Sequence, residues 1–150
     1  MSTKKIPGTS LAAMAIFLFT AFGGNAQKLS DKNVPQNVKN SQEKKYPGVK
    51  VKWSKEEKDF EAEFEQSGKK MSAIYDEKGT WKETETMIKN EELPAAVRDY
   101  MTKVAKVKSF KEAARINKAD GSINYEAEAN GKDYVFDANG KFLKEEKDED

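Results

Sequence analysis

The chain contains no histidine and no cysteine. The first absence excludes Ser-His-Asp and Cys-His nucleophilic sets, imidazole proton shuttles and imidazole zinc ligands. The second excludes thiolate chemistry and disulfide staples, so stability must come from a packed core. No glycine-rich phosphate loop occurs, because beyond the N-terminal segment every glycine stands alone in a turn-like context. Neither sign of charge dominates: 27 basic residues face 26 acidic ones, interspersed, with no basic stripe for a nucleic-acid backbone. The one stretch of biased charge is the C-terminal "KEEKDED", which ends acidic.

Long apolar runs are equally scarce. The only one is Leu11 to Phe22, "LAAMAIFLFTAF", preceded by Lys4 and Lys5 and followed by "GGNAQ" with small Gly24 and Ala26. A basic flank, a short apolar run and small residues before a cut match a secretory signal, with cleavage expected near Ala26-Gln27. The run is well short of the roughly 20 apolar residues that a membrane span needs. No Cys follows it, which excludes a lipidated N-terminus. Removing Lys4 and Lys5 from the 27 basic residues, against 26 acidic ones, leaves a mature chain near −1. The expectation is a periplasmic or secreted protein with no membrane span after cleavage.

What is present is written twice. "VPQNV" at Val34 returns as "LPAAV" at Leu93, and each opens a helical stretch with Pro suited to its first turn. Leu93, Val97, Tyr100, Met101 and Val104 recur at helical steps, a stronger stripe than Val34, Val38 and Tyr46. Alternating segments follow: "VKVKW" (residues 49–53), "FEAEFE" (60–65) and, in the second half, "INYEAEA" (123–129). Such period-2 writing predicts strands with one buried and one wet face. The turns repeat too. "SGKK" around Gly68 matches "NGKD" around Gly131, and "YDEKG" matches "FDANG", where Asp opens the turn and Gly79 or Gly140 closes it. "KADGS" adds a further hairpin turn, and "TWKETETMI" and "KFLKEE" supply the last strands. From Phe60 to Asp76 is longer than from Tyr125 to Asp137, so the first long hairpin should extend about two residues per strand beyond its counterpart.

One helix with a few antiparallel strands buries its apolar face poorly alone, which accounts for a second copy. The expected organisation is a signal peptide (1–26), a polar lead-in (27–33), a first α-β repeat (34–90), a second (91–146) and an acidic tail (147–150). The order of the "LPAAV" helix, the "YEAEANGKDYVFDANGKFL" hairpins and the looser upstream copy resembles the PepSY-like family over about residues 30 to 146. These are exported bacterial proteins grouped with the β-lactamase-inhibitory-protein fold. The resemblance implies an α+β fold: a tandem of helix followed by antiparallel strands, with the helices packed on one face of a curved sheet. It also implies a non-enzymatic role in binding another protein. It does not carry over β-lactamase inhibition, because that inhibitor has disulfides and its inhibitory loops find no match here.

The candidate binding residues are those that break the alternation. Ile74 and Val135 fall out of phase with their apolar neighbours and should share the wet face with Glu61, Glu63, Glu126, Glu128, Lys50, Lys52 and Arg115. An apolar centre with a charged rim is the anatomy of a protein-recognition patch, and the same residues also fit a plain solvated face. On the first reading, Glu at both apolar positions would spare the fold and weaken partner capture. Trp81 stands where Phe142 stands in the second copy, which suits either a structural role or partner contact; Trp53 shares a face with Val49 and Val51 and suits the core. The partner expected is an unidentified exported or envelope protein, with no cofactor and no metal. The alternative is an envelope ligand- or divalent-cation-binding protein using the carboxylate-rich face. As catalysts, the paired glutamates would need a pocket that raises one pKa. The Asp turns lack the alternating acidic ligands of a calcium loop.

Overall fold

The computed structural model describes residues 27–147. The expected leader (1–26) and the last three residues of the chain lie outside that range. In chain order come strand β1 (Gln27–Leu29), a one-turn 3-10 helix (Asp31–Asn33), helix α1 (Gln36–Lys45), and strands β2 (Lys52–Glu56), β3 (Asp59–Gln66), β4 (Lys69–Tyr75) and β5 (Trp81–Met87). The same order then recurs. A one-turn 3-10 helix (Asn90–Glu92) leads to helix α2 (Ala95–Lys103), followed by β6 (Glu112–Lys118), β7 (Ile123–Ala129), β8 (Lys132–Asp137) and β9 (Phe142–Lys147). The nine strands form one antiparallel sheet in sequence order. Its two halves are joined where β5 pairs with β6, from Glu83↔Lys118 to Met87↔Ala114.

Each helix is short, with 10 residues in α1 and 9 in α2, and a helix of that length is marginal in water without packing. The packing is supplied by one face, which buries Val38 and Gln42 in α1 and Val97 and Met101 in α2, each pair four residues apart. Pro35 and Pro94 sit at the N-cap with extended ψ of 141° and 143°. Each holds the preceding Val34 or Leu93 extended, so that it turns into the core.

The core has two parts. Val38 of α1 packs with Trp53, Phe60, Ala62, Ala73 and Tyr75, and Val97 and Met101 of α2 pack with Ala127, Tyr134 and Phe136. Because side chains alternate along a strand, both helices therefore cover the same side of the sheet. The α1 side contains a polar pair that α2 lacks. The Tyr75 hydroxyl donates to Gln42 Oε1 at 2.7 Å while the Gln42 Nε2 has no partner; the corresponding residues are Met101 and Phe136, both apolar. Tyr75→Phe should therefore cost about 1–3 kcal/mol by orphaning the Gln42 carbonyl as well. Gln42→Met with Tyr75→Phe should recover most of that loss, as read from denaturant midpoints.

The turns fold as their residues dictate. Asp76 Oδ1 accepts from the backbone N–H of Lys78 and Thr80, both at 2.8 Å, and Asp137 Oδ1 does the same for Asn139 and Lys141 at 2.9 Å. The long hairpins turn through consecutive positive-φ residues, Ser67-Gly68 and Asn130-Gly131, the backbone that a two-residue hairpin with right-handed strand twist requires.

Three expectations need correction. "VKVKW" is not a strand from residue 49: the ladder begins at Lys52, four residues after the positive-φ turn at Gly48. Val49 and Val51 instead pack on the first core without ladder pairing. The expected polar lead-in contains a strand, with Leu29 opposite Trp53. Arg115 does not share the face of Ile74, since it pairs with Thr86 and Tyr125 on the opposite alternation and is exposed.

Candidate functional site

The side of the sheet opposite the helices is built from rows that run across the strands. One row reads Ser54, Glu61, Ile74, Glu83 and Lys118 from β2 to β6. The next reads Ser72, Glu85, Ile116 and Asn124 from β4 to β7. A third reads Met87, Ala114, Glu126, Val135 and Lys144 from β5 to β9, and a fourth sets Glu112, Glu128, Asp133 and Glu146 side by side. Sequence reasoning placed Ile74, Val135, Glu61, Glu126 and Glu128 on one face, and the register does so, with Glu61 opposite Ile74 and Glu126 opposite Val135.

That face is not wet. Ile74 is 3% exposed and Val135 0%, and Glu61, Glu83, Glu85, Glu126, Glu128 and Asp133 are all buried. Ile74 lies between Glu61 and Glu83, and Val135 between Glu126 and Lys144. Opposed side chains stand only about 5 Å apart, within the reach of long flanking stems over shorter apolar groups. A bulge at Ile74/Tyr75 and its counterpart at Val135/Phe136 bend the strands just there. The expectation of an exposed Ile74–Val135 patch is thereby overturned. Counting alternation along one strand does not reveal how many strands flank it.

The carboxylates of this face differ in their support. Glu61 accepts from both Ser54 Oγ and Ser72 Oγ, at 2.7 and 2.6 Å. Glu83 lies 3.6 Å from Lys118 Nζ, and Glu128 lies 2.6 Å from Lys111 Nζ. Burial raises the Glu83 carboxyl above the usual range, and Lys118 opposes it. Glu85 and Glu126 have no such relief. Burial pushes both well up first, and neighbouring carboxylates add to it: Glu126 and Glu61 for Glu85, Asp133 and Glu146 for Glu126. Among the described residues no three His, Cys, Asp or Glu side chains are grouped so as to hold a metal ion.

The remaining candidates are not brought together: Lys50, Lys52 and Glu63 lie on or just ahead of β2 and β3, whereas Trp81 opens β5. Lys52 pairs with Glu63 and is exposed, Glu63 is half-buried, and Lys50 is exposed ahead of the strand. Partial burial first and the charge of Glu61 second raise Glu63, with Lys52 and Lys28 opposing. Trp81 pairs with Tyr75 as Phe142 pairs with Phe136. Its Nε1 donates to Thr84 Oγ1 at 2.9 Å, and Lys45 Nζ sits 3.5 Å from its ring centre. The indole is thus held from both sides on the helix-covered face, away from Glu61 and Ile74.

The β3–β4 hairpin has the length its residues imply. From Phe60↔Tyr75 the ladder continues to Gln66↔Lys69, whereas from the corresponding Tyr125↔Phe136 it ends at Ala129↔Lys132. The first hairpin therefore carries two extra pairs, and Glu65, Ser67, Lys69 and Lys70 at its end are exposed.

Comparison with known proteins supports this architecture. A family described as "Putative beta-lactamase-inhibitor-like, PepSY-like" matches over residues 23–77 and 58–144. Among solved structures, a DUF2874 family protein from Bacteroides uniformis is 20% identical, with a TM-score of 0.64 covering 75% of this chain and 88% of that one. A Bacteroides eggerthii structure, described as "putative periplasmic proteins", is 17% identical with a TM-score of 0.64 over 76% and 88% of the two chains. A BLIP-like protein from Bacteroides fragilis is 20% identical with a TM-score of 0.60 over 77% and 87%. No curated protein matches the chain. At these identities the structures show a common fold.

Proposed function

The chain belongs to the PepSY-like, β-lactamase-inhibitor-like family, and we propose that it is a non-enzymatic module that binds another protein outside the cytoplasm through its long hairpin. On this reading one helix-and-hairpin unit was duplicated, at 34–90 and 91–146, and the first copy was lengthened for recognition. The observation that carries the reading is the pair of extra ladder steps in β3–β4. They hold Glu65, Ser67, Lys69 and Lys70 in solvent on a two-strand ribbon, while the core positions Phe60, Ala62, Ala73 and Tyr75 stay anchored under α1. A rigid exposed ribbon costs little conformational entropy on docking. Lys52 and Glu63 flank its base, and Lys50 lies nearby in the chain, a mixed-charge rim of the kind that steers and registers a partner.

Export fits the expected leader, with cleavage near Ala26-Gln27, and fits a structural relative described as periplasmic. An inhibitory role towards a secreted enzyme is one form this binding would take.

The test removes the extension without touching the core. Deleting Glu65, Gln66, Lys69 and Lys70 rejoins Phe64 and Met71 across the same Ser67-Gly68 turn. Among the described residues, the ion pair lost outside the hairpin is the half-exposed Lys69–Glu92 pair at 3.2 Å, which is of little energetic consequence. Tagged residues 27–150 should capture one dominant partner from an envelope extract. The shortened form should unfold at nearly the same temperature and capture at least about tenfold less, the effect of losing roughly 1.4 kcal/mol. Undiminished capture by the shortened, folded protein would rule out the hairpin.

A further inference from the structure

We propose that Glu85 and Glu126 form a proton latch at the centre of the helix-free face: each is carried as the neutral acid in the folded protein, and ionisation loosens the strands that they join. The inference concerns regulation of the fold and stands independently of the hairpin's partner. Its basis is geometric. Glu85 on β5 is 6% exposed and Glu126 on β7 is 5% exposed, and Glu85 Oε1 and Glu126 Oε2 have no hydrogen-bond partner. Their direct cross-strand neighbours supply no charge: Ser72 and Ile116 flank Glu85, and Ala114 and Val135 flank Glu126.

The charged groups around them are mostly of the same sign. Glu85 faces Glu61 of β3, Glu83 of its own strand, Glu126 of β7 and Asp133 of β8. Glu126 faces Asp133, Glu146 of β9, Glu128 of its own strand and Glu83. The cations of this face are engaged elsewhere: Lys118 with Glu83, Lys111 with Glu128, and Lys144 with Glu146. An ionised carboxylate without a donor, buried among others, is far costlier than its neutral form. The proton therefore stays on. Glu61 differs in its hydrogen bonding, since the Ser54 and Ser72 hydroxyls each donate to one of its oxygens.

The sign of the pH dependence follows. A buried acid whose folded affinity for protons exceeds its unfolded one stabilises the fold in acid and loses that contribution as pH rises through its folded pKa. Asp76 and Asp120 act oppositely. Hydrogen bonds from Lys78, Thr80 and Ser122 outweigh the opposing burial and hold them below the usual carboxylate range, so their contribution is lost only in stronger acid. Stability should peak in mild acid.

The experiment is thermal unfolding of the whole chain between pH 5 and pH 8, with Glu85→Gln and Glu126→Gln singly and together. The unmodified protein should melt on the order of 5 °C higher at pH 5 than at pH 8. The double variant should melt higher at pH 8 and lose the slope. A second readout does not depend on the variants folding: the infrared carbonyl band of protonated carboxyl groups in the native protein at pH 7. That band should be present, and each substitution should diminish it. A melting temperature that falls from pH 8 to pH 5, or no protonated-carboxyl band at pH 7, would overturn the latch.

Discussion

Val135→Glu should yield no cooperatively folded protein. Val135 has no solvent exposure and sits between Glu126 and Lys144 in a row of the sheet. A glutamate there adds volume to a filled position and places another carboxyl among Glu126, Asp133 and Glu146. With the adjacent Lys144 held by Glu146, burying the carboxyl costs several kcal/mol whether it ionises among like charges or is carried neutral, and the extra bulk adds about 1–3 kcal/mol. The total is comparable with the whole stability of a domain, about 5–15 kcal/mol. Circular dichroism, an amide correlation spectrum and gel filtration would report the loss. Val135→Ala, which only removes methyl groups, should fold with a lowered midpoint. Were Val135→Glu to fold and melt like the parent, the face would be open to solvent, and Ile74 and Val135 would return as candidates for partner contact.

The second large effect is expected at two corresponding glycines. A Cβ on Gly140 would stand 2.8 Å from the Ala96 Cβ of α2, and one on Gly79 would stand 2.8 Å from the Asn37 carbonyl oxygen of α1. Both positions also have φ near +78°, a conformation that L side chains adopt at a cost of about 1–2 kcal/mol. Displacing the helix adds an overpacking cost of about 1–3 kcal/mol. Gly79→Ala and Gly140→Ala should therefore each destabilise by about 2–5 kcal/mol in denaturant titrations. Gly131→Ala is the control, having φ of +67° but nothing within 4 Å of the added Cβ; it should show the conformational cost alone. Equal losses at all three positions would mean that the helices do not bear on the Asp turns.

The two predictions concern opposite sides of the same sheet, and that contrast shows where sequence reading stops. The Asp76 and Asp137 turns, the Ser67-Gly68 and Asn130-Gly131 hairpins, the Val38 and Val97 helix faces and the two extra pairs of β3–β4 were all legible in the residues. Each rests on interactions between groups a few positions apart, or on strict alternation along one strand. The α+β class and the family resemblance rest on the same local signals repeated in order. β1 and the hairpin at Glu57 were not legible, because "QKL" carries little strand signal and Glu57 takes a positive φ of 51° that is unusual outside glycine.

The sequence by itself thus determined most of the elements, how the Asp and Gly turns fold, and, Arg115 apart, which candidate side chains share a face. Only the tertiary structure decided what each face meets. The β5–β6 pairing joins two halves into one nine-stranded sheet, and that juxtaposition sets Glu85 against Glu126 across an intervening strand, forty-one residues apart in the chain. Alternation assigned Glu126 to water because it counts neighbours along a strand. Burial and proton affinity depend instead on neighbours across strands, which a linear pattern does not contain.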